Sequence, residues 1–183
     1  KLSKVLAKME IEGIALNVKM LNDFSILLTK KLSEITVQVH DLAGVGFNIS
    51  SPKQMGELLF DKMKLSKKPK KTKSGQYATS EEELLKIKDK HPVIEKILAF
   101  RGIKKLLSTY VDALPELVNP KTQRIHTTFN QSVASTGRLS SINPNIQNIP
   151  IRTEIGMKVR EAFIPRNESF TLMAADYSQI ELR

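Results

Sequence analysis

Through the first two thirds of the chain, apolar residues recur every three or four positions, the period of a helix with one buried face. Leu2, Val5, Leu6 and Met9 mark a short opening helix, which Gly13 ends. Asn17 is placed to cap a long second helix, whose stripe runs Leu21, Phe24, Leu28, Leu32 and Ile35. Ala43-Gly44-Val45-Gly46 closes it. Ser51-Pro52-Lys53-Gln54 reads as a helix start: serine caps, proline suits the first turn, and glutamine can complete a capping box. Met55, Leu58, Leu59 and Met63 follow on one face.

Residues 64–79 interrupt the pattern with Pro69, Gly75 and small polar residues, and predict an irregular loop. Ser80-Glu81-Glu82-Glu83 gives a second capping box and a short helix through Leu84, Leu85 and Ile87. Val93 to about Leu114 predicts another long helix on Ile97, Phe100, Ile103, Leu107 and Tyr110, with Pro115 and Pro120 ending the helical region. Beyond it the spacing changes. A turn at Asn119-Pro120-Lys121-Thr122 leads to an expected strand over Arg124 to Gln131, then to a polar, turn-rich segment over 134–150. Lys158 to Ile164 and Phe170 to Ala175 read as two further strands. The expected fold is α+β, with a helical part over 1–119 and a partial antiparallel sheet over 120–183.

Composition narrows the function. Lys plus Arg number 29 against 19 acidic residues, a formal charge of +10, which favours a polyanionic partner such as nucleic acid. Charge alone also suits a protein that is merely basic. The absence of cysteine excludes disulfides and thiolate zinc sites and fits a reducing cytoplasm. No apolar run approaches the ~20 residues that a spanning helix needs, so no membrane association is expected. With no tryptophan and few aromatics, base stacking is not the obvious binding mode.

Three segments could carry chemistry. Between Lys62 and Lys73 there are seven lysines and no acid, which must face water or a polyanion because burying unpaired ammonium groups is costly. Such lysines grip a phosphate backbone without reading sequence, though a solvated loop has the same composition. Ser135 to Ser141, followed by Asn143, Asn145, Gln147 and Asn148, offers hydroxyls, amides and Arg138 for sugar, phosphate or minor-groove contacts. An ordinary surface loop bonding its own backbone fits those residues as well. Finally, the expected buried strand 170–175 delivers Asp176 at its end. A desolvated carboxylate can be explained by a hard cation such as Mg²⁺. On the residues alone a helix cap is the simpler account, and spacing does not show that Asp176 and Glu181 converge.

The stretches HTTFNQSVASTGRLSSINPNIQNIPIR and AADYSQIELR, with REAFIP between them, resemble two signature blocks of family A DNA polymerases. SSPKQ, KTKSG, TSEEEL and KILAFRGIKKLLSTYVDALP resemble the thumb and the passage from thumb to palm of the bacterial DNA polymerase I type. The likeness covers nearly the whole chain. It implies a thumb over 1–119, the first part of a palm over 120–183, and template-directed nucleotidyl transfer to a primer 3′-hydroxyl in replication and repair.

The resemblance also implies residue roles. Asp176 and Glu181 become the catalytic residues. Asp176 would bind two Mg²⁺ ions with the Tyr177 backbone carbonyl as a further ligand, and Glu181 would act as the steric gate against a ribose 2′-hydroxyl. Ser178, Gln179 and Glu181 would lie at the incoming deoxynucleoside triphosphate. Arg138 would reach the minor groove near the primer terminus, with Asn145, Gln147 and Asn148 touching the duplex. Lys70, Lys71, Lys73 and Ser74 would grip the backbone from the thumb tip. The second metal-binding aspartate and the fingers helix are expected after residue 183, so these residues alone are expected to bind primer–template DNA without polymerising. A monomeric parent in the bacterial cytoplasm, at the nucleoid, is implied. The rival readings are a non-catalytic DNA-binding module that retains the thumb, and a basic helical scaffold for a protein partner.

Overall fold

The computed structural model describes residues 1–151 and 153–178. Within them the architecture is α+β, in two compact units: Lys1–Asp23 with the described part of Tyr110–Arg183, and Phe24–Thr109.

The first unit begins with helix α1 (Leu2–Glu12). Of its apolar stripe only Leu6 is buried, while Leu2, Val5 and Met9 stay about half exposed. Gly13 ends the helix as expected, at φ 64°, with its N–H donating to the Met9 carbonyl. The pattern assigns no element to the next residues, yet Ile14–Leu16 form strand β1, the centre of a three-stranded antiparallel sheet. Its neighbours are β2 (Arg124–Ile125), with Ile14 opposite Ile125, and β5 (Phe163–Ile164), with Leu16 opposite Phe163. A separate hairpin pairs β3 (Thr128–Asn130) with β4 (Ser140–Ile142). The single strand expected over 124–131 is thus split between two sheets.

Two other strand expectations fail. Helix α7 (Glu154–Glu161) occupies most of 158–164, leaving only Phe163–Ile164 extended as β5. The Thr153 side chain caps it by accepting from the Gly156 N–H at 3.0 Å, and its buried positions Gly156 and Val159, with Ala162 just beyond, are spaced by three. Residues 170–175 form no strand and are exposed, so Asp176 does not end a buried strand.

Helix α2 (Val18–Ala43) runs from the first unit into the second. Asn17 caps it through its Oδ1, which accepts from the Met20 N–H at 3.0 Å. Leu21, Phe24, Leu28, Ile35 and Val39 are buried along it, and Leu32 is half-buried. The second unit continues with α3 (Pro52–Gly56), which widens into a π-helical turn over Glu57–Lys62. Ser51 caps α3, but Gln54 reaches back to the Asn48 N–H at 2.7 Å, so its carboxamide serves the preceding turn. Helix α4 (Glu81–Leu85), capped by Ser80, packs on α5 (Val93–Leu106). A π-helical turn over Leu107–Val111 and the short α6 (Ala113–Glu116) complete the helical run.

Candidate nucleic-acid interface

In the second unit the lysine segment is more ordered than its composition suggests. Residues 70–78 form a small hairpin: Ala78 N–H donates to the Lys70 carbonyl at 2.8 Å and Thr72 N–H to the Gln76 carbonyl at 2.7 Å. The turn closes through Gly75 N–H and the Thr72 carbonyl, with the Thr72 and Ser74 hydroxyls 2.9 Å apart. Lys70, Lys71, Lys73 and Ser74 are all exposed at this tip.

Tyr77 anchors the hairpin. Its ring lies 5.1 Å from the Phe60 ring, and its hydroxyl donates to Asp61 Oδ1 at 2.5 Å. That hydrogen bond, to an acceptor that is itself negatively charged, pushes the phenol pKa up. The helix must come close for this. A Cβ on Gly56 would stand 2.8 Å from Tyr77 Cβ, so glycine is required there. The Lys71 ammonium lies 5.3 Å from the Tyr77 ring centre, a cation–π distance. Below the hairpin the half-buried Arg101 guanidinium donates to the Thr79 carbonyl, and to Thr79 Oγ1 at 3.3 Å. Burial pulls its pKa down from the ordinary guanidinium value. Neither Tyr77 nor Arg101 is marked in the sequence, because both act through partners 16 and 22 residues away.

In the first unit the 134–150 segment is organised by one hydroxyl. Ser141 is fully buried, and its Oγ accepts from the Ile146 N–H at 3.2 Å and the Gln147 N–H at 3.3 Å. Asn145 Oδ1 accepts from the Gln147 N–H at 3.1 Å and from the Ser141 hydroxyl at 3.2 Å, which commits that oxygen to the loop. Thr127 Oγ1 lies 2.7 Å from the Pro144 carbonyl, and the Tyr110 hydroxyl donates to the Asn148 carbonyl at 2.5 Å. The Asn143–Pro144 peptide is cis. The result is a loop fixed by buried hydroxyls that leaves Arg138, Asn145, Gln147 and Asn148 on the surface.

Asp176, Tyr177 and Ser178 are exposed in an irregular segment, and Gln179 and Glu181 lie outside the described residues. An exposed Asp176 has no desolvation for a cation to relieve, contrary to the expectation of a buried carboxylate. Among the described residues no group of three or more acidic, histidine or cysteine side chains could hold a metal ion. Asp176 is a single carboxylate, and Mg²⁺ is held through one or two carboxylates with water and substrate phosphates as its other ligands. The described residues thus offer one candidate carboxylate and not a complete metal site.

The model of the family described as DNA polymerase family A matches residues 18–183. The chain belongs to DNA polymerase family A. It is similar to the "DNA polymerase I" of Synechocystis, 54% identical over 183 residues, covering all of this chain and 18% of that protein. The "DNA polymerase I" of Deinococcus radiodurans is 48% identical over 182 residues, covering all of this chain and 19% of the relative. The chain thus spans about a fifth of the length of these curated family A relatives. Among solved structures it is similar to the POL domain of Pol1 from M. smegmatis, in complex with DNA primer-template and dNTP. That match has a TM-score of 0.80 and 42% identity, and covers 88% of this chain and 28% of the other. Among the described residues, no helix is long and apolar enough to cross a membrane.

Proposed function

We propose that the protein carrying this sequence is a DNA-directed DNA polymerase, extending a primer 3′-hydroxyl on a template with deoxynucleoside triphosphates. The family A match across residues 18–183 carries this reading. In it, residues 1–119 correspond to the thumb and 120–183 to the first part of the palm, with Ile14–Leu16 lent to the palm sheet as β1. The braced hairpin holds Lys70, Lys71, Lys73 and Ser74 against the duplex backbone, where lysines neutralise phosphate charge without sequence preference. Arg138, Asn145, Gln147 and Asn148 meet the minor groove from a loop that Ser141 keeps rigid, where acceptors vary little with sequence. Asp176 supplies one carboxylate for Mg²⁺, alongside the Tyr177 carbonyl, and Ser178, Gln179 and Glu181 serve the nucleotide. The protein works as a monomer in the bacterial cytoplasm, at the nucleoid.

The test is primer extension by the intact protein, wild type beside Asp176→Ala. Phosphoryl transfer relies on positioning and charge neutralisation, so removing this carboxylate is expected to abolish nucleotide addition while duplex affinity is kept. Normal extension by the variant would refute the role of Asp176, and absence of extension by wild type, with duplex binding kept, would favour the DNA-binding module instead.

A further inference from the structure

Behind the hairpin, within the second unit, lies a recess of about 620 Å³. Lys64, Lys67, Lys68 and Lys70 line it from the segment after the α3 helix, and Lys86 and Lys90 from the end of α4 and the turn beyond it. Its apolar lining comes from Phe60, Leu65, Pro69 and Ile87, and Glu83 is its sole acidic residue. Glu83 pairs with Lys86 at 2.8 Å on its own wall and lies 3.8 Å from Lys70 on the other. Among the described residues Lys64, Lys67, Lys68 and Lys90 have no ion-pair partner.

We propose that this recess is a second phosphate-binding station, taking the backbone of the bound nucleic acid beyond the reach of the hairpin tip. The inference rests on the polymerase reading and extends its DNA contacts to Lys67, Lys68, Lys86 and Lys90. Six ammonium groups around one cavity repel one another, and Glu83, with Glu82 pairing to Lys86 at 3.0 Å from outside the lining, offsets only part of that. A partner that neutralises several of them together must carry its charges in series. A nucleic-acid strand does so, with a negative charge on each phosphate, and lysine binds phosphate as a point charge with little demand on geometry.

The experiment measures primer–template affinity of the intact protein against salt. The variants are Lys67→Ala/Lys68→Ala/Lys90→Ala and its arginine counterpart, beside Lys71→Ala/Lys73→Ala at the hairpin tip. The first three lysines have no ion-pair partners, so their removal leaves the fold intact. Each neutralised phosphate adds about −0.9 to the slope of log affinity against log salt. The recess variant should flatten that slope by roughly 0.9 to 2.7, as one to three phosphates go unneutralised, and the arginine version should restore it. An unchanged slope in the recess variant, with a flattened slope in the tip variant, overturns the recess alone. Unchanged slopes in both overturn the DNA reading of this unit as well. Inorganic tripolyphosphate supplies the remaining arm: if it binds wild type but not the recess variant, while DNA binding is identical in the two, the station serves free oligophosphate and the proposal fails.

Discussion

The Tyr77 hydroxyl donates to Asp61 Oδ1 at 2.5 Å, linking the basic hairpin to the helical turn beneath it. Ionising the phenol would set a phenolate against a carboxylate, so the tyrosine pKa is raised, first by this hydrogen bond. A raised folded-state pKa means that the link is fully present below the ordinary tyrosine value, about 10. It is lost as pH climbs through the folded-state value. We expect the phenolate absorbance assigned by difference from Tyr77→Phe to titrate later than free tyrosine, and to shift back down in Asp61→Asn. Identical curves in wild type and Asp61→Asn would show that Asp61 does not hold the phenol.

Two glycines in helical surroundings should respond in opposite directions to alanine. Gly13 sits at φ 64° and ψ −166°, a region nearly closed to other residues, and a Cβ there would stand 2.5 Å from the Ile125 carbonyl oxygen. Strain of about 1–3 kcal/mol adds to a clash with strand β2, so Gly13→Ala should destabilise by at least about 2 kcal/mol. Gly102 lies inside α5 with nothing near its missing Cβ. Gly102→Ala should therefore stabilise by roughly 0.5–1 kcal/mol. Urea unfolding of the two variants beside wild type checks both signs.

The contrast shows which features could be read from sequence. The Asn17 cap and the α2 stripe depend on residues at most four apart, and both stand where the spacing puts them. Lys158 to Ile164 carries valine, phenylalanine and isoleucine, residues that suit a strand, but Thr153 and its bond to the Gly156 N–H start a helix first. That cap was legible in Thr153, five residues before the apparent strand. Strand β1 was not: it exists because β2 and β5, more than a hundred residues on, flank three residues with no pattern of their own. Residues 170–175 fail for the reverse reason, since none of the described strands pairs with them. For the site, composition marked the lysines and the amide-rich loop. The groups that hold them, Tyr77, Asp61 and Ser141, act through contacts that composition does not reveal. Gln179 and Glu181 lie outside the described residues.

Ser141 gives the amide-rich loop its shape, so a small deletion there should act at a distance. Ser141→Ala leaves the Ile146 N–H without its acceptor, while the Gln147 N–H keeps Asn145 Oδ1. An unsatisfied donor beside a fully buried position costs about 1–3 kcal/mol. We expect that destabilisation in chemical denaturation, together with faster hydrogen exchange at Ile146 and little change in the hairpin of the other unit. Exchange at Ile146 that matches wild type would show that the loop is held by something other than this hydroxyl.

The hairpin lysines test whether charge alone makes the grip. Lys70, Lys71 and Lys73 are exposed, and the 3.8 Å pairing of Lys70 with Glu83 is a surface contact of little energetic weight. Removing all three as alanines should leave stability nearly unchanged, since the Tyr77 link and the backbone bonds of residues 70–78 remain. Duplex affinity should fall most at low salt, where counterion release is worth most, and the wild-type and variant lines should converge as salt rises. Arginine at the same positions keeps the charge and should recover most of the affinity, whereas glutamine keeps length and polarity without charge and should recover little. If glutamine restores binding as well as arginine does, the tip acts by shape and hydrogen bonding, and the electrostatic reading of this surface is wrong.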